Sequence, residues 1–157
     1  MVNQATVSAG TAGRTRPLAA TSALTDAATR AARALDRHAA DYGLSDAKLQ
    51  LLEVLRCADG CQACLYTIGE ELCVSRPNVT KLVDGLEREG LVERQPHPTD
   101  RRMVRARLTP EGERIAAAAL PGRAEVAARL WSGLPDEELD RLLLALAEVG
   151  HERPHLG

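Results

Sequence analysis

Phenylalanine is absent from this chain of 157 residues, and its aromatics amount to one Trp and two Tyr. A core without rings must be built from Leu, Val, Ile and Ala, which favours packed helices over an aromatic-rich β-sandwich. Long apolar runs are missing too: none reaches eighteen residues, and the first twenty positions lack the apolar stretch of a secretory signal, so a soluble, cytoplasmic chain without membrane contact is expected. Excess charge of either sign is absent, with 20 Lys plus Arg against 22 Asp plus Glu and a formal charge of −2. As an average this argues against a nucleic-acid partner, but averages conceal local fields. The length suits one domain with a real core, and no nucleophile–base pair, phosphate-binding glycine loop or paired carboxylates stand out. An enzyme is not expected, and no cofactor is required.

What is present is helical periodicity. Residues 1–18 are Ala, Gly, Ser, Thr and Arg with little to bury, which predicts a flexible arm. From Ala19, Leu24, Ala28, Ala31, Leu35 and Tyr42 fall on one helical face up to Gly43, and Ser45–Asp46 caps a second helix carrying Leu49, Leu52 and Leu55. A short third helix lies between Cys64 and Leu72, starting either at Cys64 or at a Thr67/Glu70 capping box. Ser75 and Pro77 open a fourth, with Val79, Leu82, Val83 and Leu86 as its apolar stripe and Gly90 as its stop. The period then changes to two, on either side of the turn Pro96-His97-Pro98-Thr99-Asp100, which predicts a two-stranded hairpin. Thr109-Pro110-Glu111 restarts helix, which Pro121-Gly122 should kink or interrupt, and a last helix from about Pro135 aligns Leu139, Leu142, Leu143, Leu146 and Val149.

Two short helices joined by a tight turn, the second polar on its outer face and followed by a basic hairpin, form the arrangement of a winged helix-turn-helix. The outer face of the fourth helix offers Arg76, Asn78, Thr80, Lys81 and, further round, Arg88, donors suited to base edges and phosphates. The hairpin from Arg94 to Arg107 carries five arginines against Asp100 alone, leaving fifteen basic and twenty-one acidic residues elsewhere. The acidity thus belongs to the body of the chain, and the net charge no longer excludes DNA. Any one of these arginines would ordinarily be a solvated surface residue. It is the order of polar face, change of period and arginine-rich tip that favours the DNA reading, with Asp100 orienting a neighbouring arginine.

The stretches Val74-Ser75-Arg76-Pro77-Asn78-Val79-Thr80-Lys81-Leu82-Val83 and Leu86-Glu87-Arg88-Glu89-Gly90-Leu91-Val92-Glu93-Arg94, with Asp100-Arg101-Arg102 and Leu108-Thr109-Pro110-Glu111-Gly112, resemble the MarR family of bacterial transcriptional regulators. The resemblance spans roughly Leu24 to Val149, and the Asp-Arg-Arg wing is its most specific piece. It implies a mainly α fold with a small β-hairpin wing, and an obligate homodimer reading a palindromic double-stranded operator, as a repressor by preference. Residues 46–109 would be the winged region, 19–45 and 110–150 the helical dimerisation region, and 151–157 a tail. The candidate DNA contacts are Ser75, Arg76, Pro77, Asn78, Thr80, Lys81, Arg94, Arg101 and Arg102, with Arg101 entering the minor groove. Leu139, Leu142, Leu143 and Leu146 would cross the twofold axis. His38 and Tyr42 are candidates for a small-molecule effector pocket or, as ordinary residues, for packing.

Four cysteines, Cys57, Cys61, Cys64 and Cys73, lie in one short stretch of an intracellular-type sequence, where metal or redox chemistry is favoured over a disulfide framework. Three readings stand open: small core-filling residues, a thiol switch beside the DNA-reading element, and a zinc site with the right ligand count but an unusual spacing. Cys64 at a helix N-terminus would gain reactivity from the free N–H groups there. Cys73 replaces the family's common glycine, at about 1 kcal/mol if the turn is left-handed. Cys61-Gln62-Ala63-Cys64 also matches a thiol–disulfide oxidoreductase motif, but no βαβ pattern surrounds it. His151 and His155 are separated by Pro154 and read as a solvated tail.

Overall fold

The computed structural model describes residues 15–100 and 102–149. In chain order the elements are α1 (Arg16–Ala40), α2 (Asp46–Cys57), a 3-10 turn at Asp59–Cys61, β1 (Gln62–Cys64), α3 (Leu65–Glu71), α4 (Arg76–Arg88), β2 (Val92–Pro96), β3 (Val104–Leu108), α5 (Pro110–Trp131) and α6 (Asp136–Ala147). The fold is mainly helical with a small antiparallel sheet, as the sequence predicts. Leu49, Leu52 and Leu55 of α2 and Val79, Val83 and Leu86 of α4 are fully buried, and with Ile68, Ala106, Ala116 and Ala119 they form the core. Ala116 and Ala119 let α5 lie close to α1 and α2. At the foot of α5, a Cβ on Gly112 would come within 2.0 Å of the Leu91 carbonyl oxygen, so the Gly of the Thr-Pro-Glu-Gly start is demanded by contact.

Several expectations are corrected. Helix α1 begins at Arg16 rather than Ala19, because Pro17 is tolerated in a first turn; residues 1–14, the rest of the predicted arm, lie outside the described residues. Leu24 and Ala28 are exposed, whereas Ala31, Leu35 and buried Ala39 face the body. Tyr42 sits in the turn after α1 rather than on the helix. The wing is not a lone hairpin: β1 pairs with β3 (Gln62↔Arg107, Cys64↔Arg105), giving the order β1-β3-β2. Three residues are too short a run to show a period in the sequence.

Pro121 does not interrupt α5, which continues from Pro110 to Trp131. Proline removes one donor from the ladder; near this point His38 of α1 donates from Nε2 to the Ala119 carbonyl at 2.9 Å, and the Tyr42 hydroxyl, from the turn after α1, donates to the Ala118 carbonyl at 3.2 Å. The next residue is the small one this requires, since a Cβ on Gly122 would sit 2.4 Å from His38 Cε1.

A polar junction that the sequence did not disclose ties α2 to α5. Asp46, expected only as a first-turn acid, is buried; its carboxylate accepts from Arg123 Nε at 2.8 Å and Gln50 Nε2 at 2.6 Å, while Arg123 Nη1 reaches Glu53 at 3.0 Å. Asp36 of α1 accepts the Asp46 N–H at 2.8 Å. Helix α6 behaves differently. No residue on it is buried, Leu139, Leu142 and Leu146 are only half-covered, and Leu143 and Leu144 are 58% and 72% exposed.

Candidate nucleic-acid interface

The helix-turn-helix is α3, the turn Leu72–Ser75 and α4. Of the two starts for α3, the chain uses Cys64 as N-cap, without a side-chain cap bond. Its end is a Schellman-type close: Val74 N–H donates to Gly69 O at 3.0 Å and Cys73 N–H to Glu70 O at 3.1 Å. Cys73 occupies the left-handed position with φ of 52°, as Cys61 does in the turn before β1 with φ of 53°. The second of these was not expected from the sequence. Both positions favour glycine, so each stores about 1 kcal/mol.

On α4 the division of faces is sharp. Val79 and Val83 are fully buried, while Ser75, Arg76, Pro77, Asn78, Thr80 and Lys81 are all exposed. Ser75 takes the N-cap position, but its side chain makes no cap hydrogen bond; the first-turn N–H groups of Asn78 and Val79 go to its backbone carbonyl. Lys48 of α2 pairs with Glu89 at the far end of α4, which secures the helix from behind.

Arg94, counted from the sequence among the phosphate ligands, is engaged elsewhere. Its guanidinium is bound by Asp84 and Glu87 of α4, and Nη2 reaches the Thr80 carbonyl at 3.5 Å. Partial burial alone would lower its pKa, but the hydrogen bonds it donates to Asp84 and Glu87 outweigh that and hold it above the usual arginine value. Its role here is to fasten the wing to α4. The residues of this clasp run from Thr80 to Arg94 on two elements, so no local motif could have disclosed it.

The wing tip is organised by backbone contacts. Asp100 Oδ1 accepts the Arg102 N–H at 2.9 Å, which sets the Arg102 main chain. His97, which sequence reasoning passed over, accepts at Nδ1 from the N–H groups of Thr99 at 3.4 Å and Asp100 at 3.3 Å. Its own N–H donates to Met103 O at 3.1 Å. The run His-Pro-Thr-Asp was the available signal. Arg102 is exposed; Arg101 lies outside the described residues, as do His151 and His155.

The four thiols are free and do not converge: Cys57, Cys61 and Cys64 border three different pockets, and exposed Cys73 has Sγ 3.7 Å from Glu70 O. Among the described residues no group of three or more His, Cys, Asp or Glu side chains is placed to hold a metal ion. The zinc reading is therefore withdrawn. His38 borders a pocket of about 510 Å³ between α1 and α5, with Arg37, Asp41, Val126 and Arg129. Tyr42 packs edge-on against His38, ring centroids 5.4 Å apart, but does not line that pocket. Among the described residues no helix is long and apolar enough to cross a membrane.

An α3–α4 pair with a buried inner face and a polar outer face, flanked by an arginine-bearing wing, defines a winged helix-turn-helix protein. Comparison with known proteins narrows this. The MarR family profile matches residues 44–104. The chain is 35% identical over 120 residues to the HTH-type transcriptional regulator YkoM of Bacillus subtilis, covering 76% of this chain and 77% of that one. It therefore belongs to the MarR family of transcriptional regulators and is not an enzyme. Its fold matches the Streptomyces coelicolor MarR family regulator Sco3205, solved in complex with DNA, with a TM-score of 0.79 at 23% identity over 86% of this chain and 90% of that one. Bordetella bronchiseptica BpsR, whose DNA binding is regulated by 6-hydroxynicotinic acid, matches with a TM-score of 0.76 at 21% identity over 85% and 94%.

Proposed function

We propose that this chain is a homodimeric, sequence-specific repressor of the cytoplasm, which inserts α4 into the major groove and the wing into the minor groove of a palindromic operator. The observation that carries the reading is the outer face of α4. Arg76, Asn78, Thr80 and Lys81 stand exposed together, and their donors match phosphate and base-edge acceptors. Ser75 and Pro77 lie at the helix start beside the phosphates, and Arg101 and Arg102 follow the minor groove, where narrow A·T-rich tracts attract arginine. Residues 46–109 serve as the reading unit.

Helices α1, α5 and α6, residues 16–45 and 110–149, serve as the dimerisation region. Support comes from the apolar side chains one chain leaves uncovered, among them Leu24, Leu130, Trp131, Leu143, Leu144 and Val149. Exposed large apolar side chains in this number mark an interface. Together with the half-covered Leu139, Leu142 and Leu146 they are covered by a second copy, which sets two reading helices about one DNA turn, roughly 34 Å, apart. The α1–α5 pocket beside His38 is the site for a small-molecule effector, by analogy with the ligand-regulated relative; a ligand there shifts the spacing of the two heads.

Fluorescence anisotropy with an operator fragment, selected from random DNA, tests this. Affinity falls steeply with salt as phosphate counterions are released. Lys81→Ala weakens binding to all sequences and lowers the salt slope by about one, and Arg101→Ala weakens it without unfolding the protein. A flat salt response overturns the phosphate-docked interface.

A further inference from the structure

The turn from His97 to Met103 joins β2 to β3, and two side chains hold its tip. At the base the His97 N–H donates to Met103 O at 3.1 Å and the Met103 N–H to Asp100 O at 3.0 Å. Inside, the Thr99 and Asp100 N–H groups donate to His97 Nδ1 at 3.4 and 3.3 Å, and the Thr99 hydroxyl lies 3.2 Å from the same atom. Asp100 Oδ1 in turn accepts the Arg102 N–H at 2.9 Å. The contacts run in series: His97 holds Asp100, and Asp100 holds Arg102. A backbone N–H can only donate, so Nδ1 offers its lone pair to the turn and the ring proton sits on Nε2. Pro98 confines the His97 backbone to extended conformations, which helps to aim the ring.

We propose that His97 is a positioning residue for DNA reading: through Asp100 it presents Arg102 to the minor groove, and the ring protonated at Nε2 alone is the form that does so. In this the inference rests on the proposed minor-groove role of the wing. Pro98, Thr99, Asp100 and Arg102 are all exposed, whereas His97 is half-buried, so hydrogen bonds rather than packing set the shape of the tip. Asn, Asp, Ser and Thr ordinarily accept from an N–H two positions on, through an oxygen. Here a ring nitrogen does so with a single lone pair, which the two amides share. A tip ordered before binding spares the cost of ordering Arg102 on the DNA. His97 thus acts through Arg102, and its effect disappears when that guanidinium is removed.

The ring is read in the full chain, free of DNA, by long-range proton–nitrogen correlation of histidine-labelled protein, with His97→Asn identifying the signals. Above neutral pH an unprotonated Nδ1 and a protonated Nε2 are expected; the opposite tautomer, or an equal mixture, overturns the acceptor role. Anisotropy with the selected operator fragment reads the consequence. His97→Ala and His97→Phe, which remove the acceptor, weaken binding about fivefold, the worth of about one net hydrogen bond. His97→Asn, which keeps an acceptor, stays within about twofold of the parent, and all three melt as the parent does. Arg102→Gln lowers the parent's affinity about tenfold but that of His97→Ala only about twofold. Unchanged binding by His97→Ala, no rescue by His97→Asn, or independent losses in the double variant overturns the positioning role. If Arg102→Gln costs the parent nothing, the minor-groove reading of the wing fails and the positioning role with it; if Arg102 counts and His97 does not, the positioning role alone fails.

Discussion

Replacing Arg123 by Met isolates the junction between the reading unit and the helical body. The substitution keeps an unbranched stem of similar bulk and removes the guanidinium that donates to Asp46 at 2.8 Å and to Glu53 at 3.0 Å. The Asp46 side chain is 9% exposed, so it is left as a buried carboxylate whose remaining side-chain donor is Gln50 at 2.6 Å. Removing one partner of a fully buried pair costs about 3–5 kcal/mol. Arg123 is itself 21% exposed, and Gln50 stays, so about 2–3 kcal/mol is expected here. For a chain of this length that lowers Tm by about 4–12 °C, read by circular dichroism at one protein concentration because a dimer's Tm depends on it. Asp46→Asn combined with Arg123→Met should lose less than the two single losses added, with a coupling of about 1 kcal/mol or more. A single-variant shift below about 2 °C with strict additivity would refute the reasoning, since it would mean that Asp46 does not depend on Arg123.

Three further outcomes follow from the packing. Leu143→Glu and Leu144→Glu, on the uncovered side of α6, should convert a dimer to monomer in sedimentation velocity without loss of helical signal; a dimer that persists would remove α6 from the interface. Gly122→Ala drives a methyl into the His38 ring and should cost about 1–3 kcal/mol, with His38→Ala recovering part of the loss. Cys73→Gly relieves the left-handed strain at the end of α3 and should raise stability by about 0.5–1 kcal/mol in urea unfolding, whereas a loss would show that the thiol contact to Glu70 outweighs the strain.

Most of the helices were legible because their burial follows the 3.6-residue period: Val79, Val83 and Leu86 declare the inner face of α4 and so, by exclusion, its outer face. The wing was legible from the change of period and from the clustering of arginines. What escaped involved residues far apart in the chain. The third strand shows itself only when β3 is beside it, and the side chains that bond the α5 carbonyls just before Pro121, those of His38 and Tyr42, lie about eighty positions earlier. The role of Arg94 likewise turned on Asp84 and Glu87, which from the chain alone are two more surface acids.

Local chemistry in the sequence was thus enough to establish the element order, the apolar faces, the basic edge on an acidic body and the family to which the chain belongs. These properties are set by short-range spacing, which folding cannot alter. Tertiary structure decided which charges remain available. It neutralised Arg94, buried Asp46 against Arg123 and separated the four thiols. It also left the apolar side of α6 bare. Each of these depends on how close two distant segments come, and electrostatic and packing energies change steeply over a few ångströms.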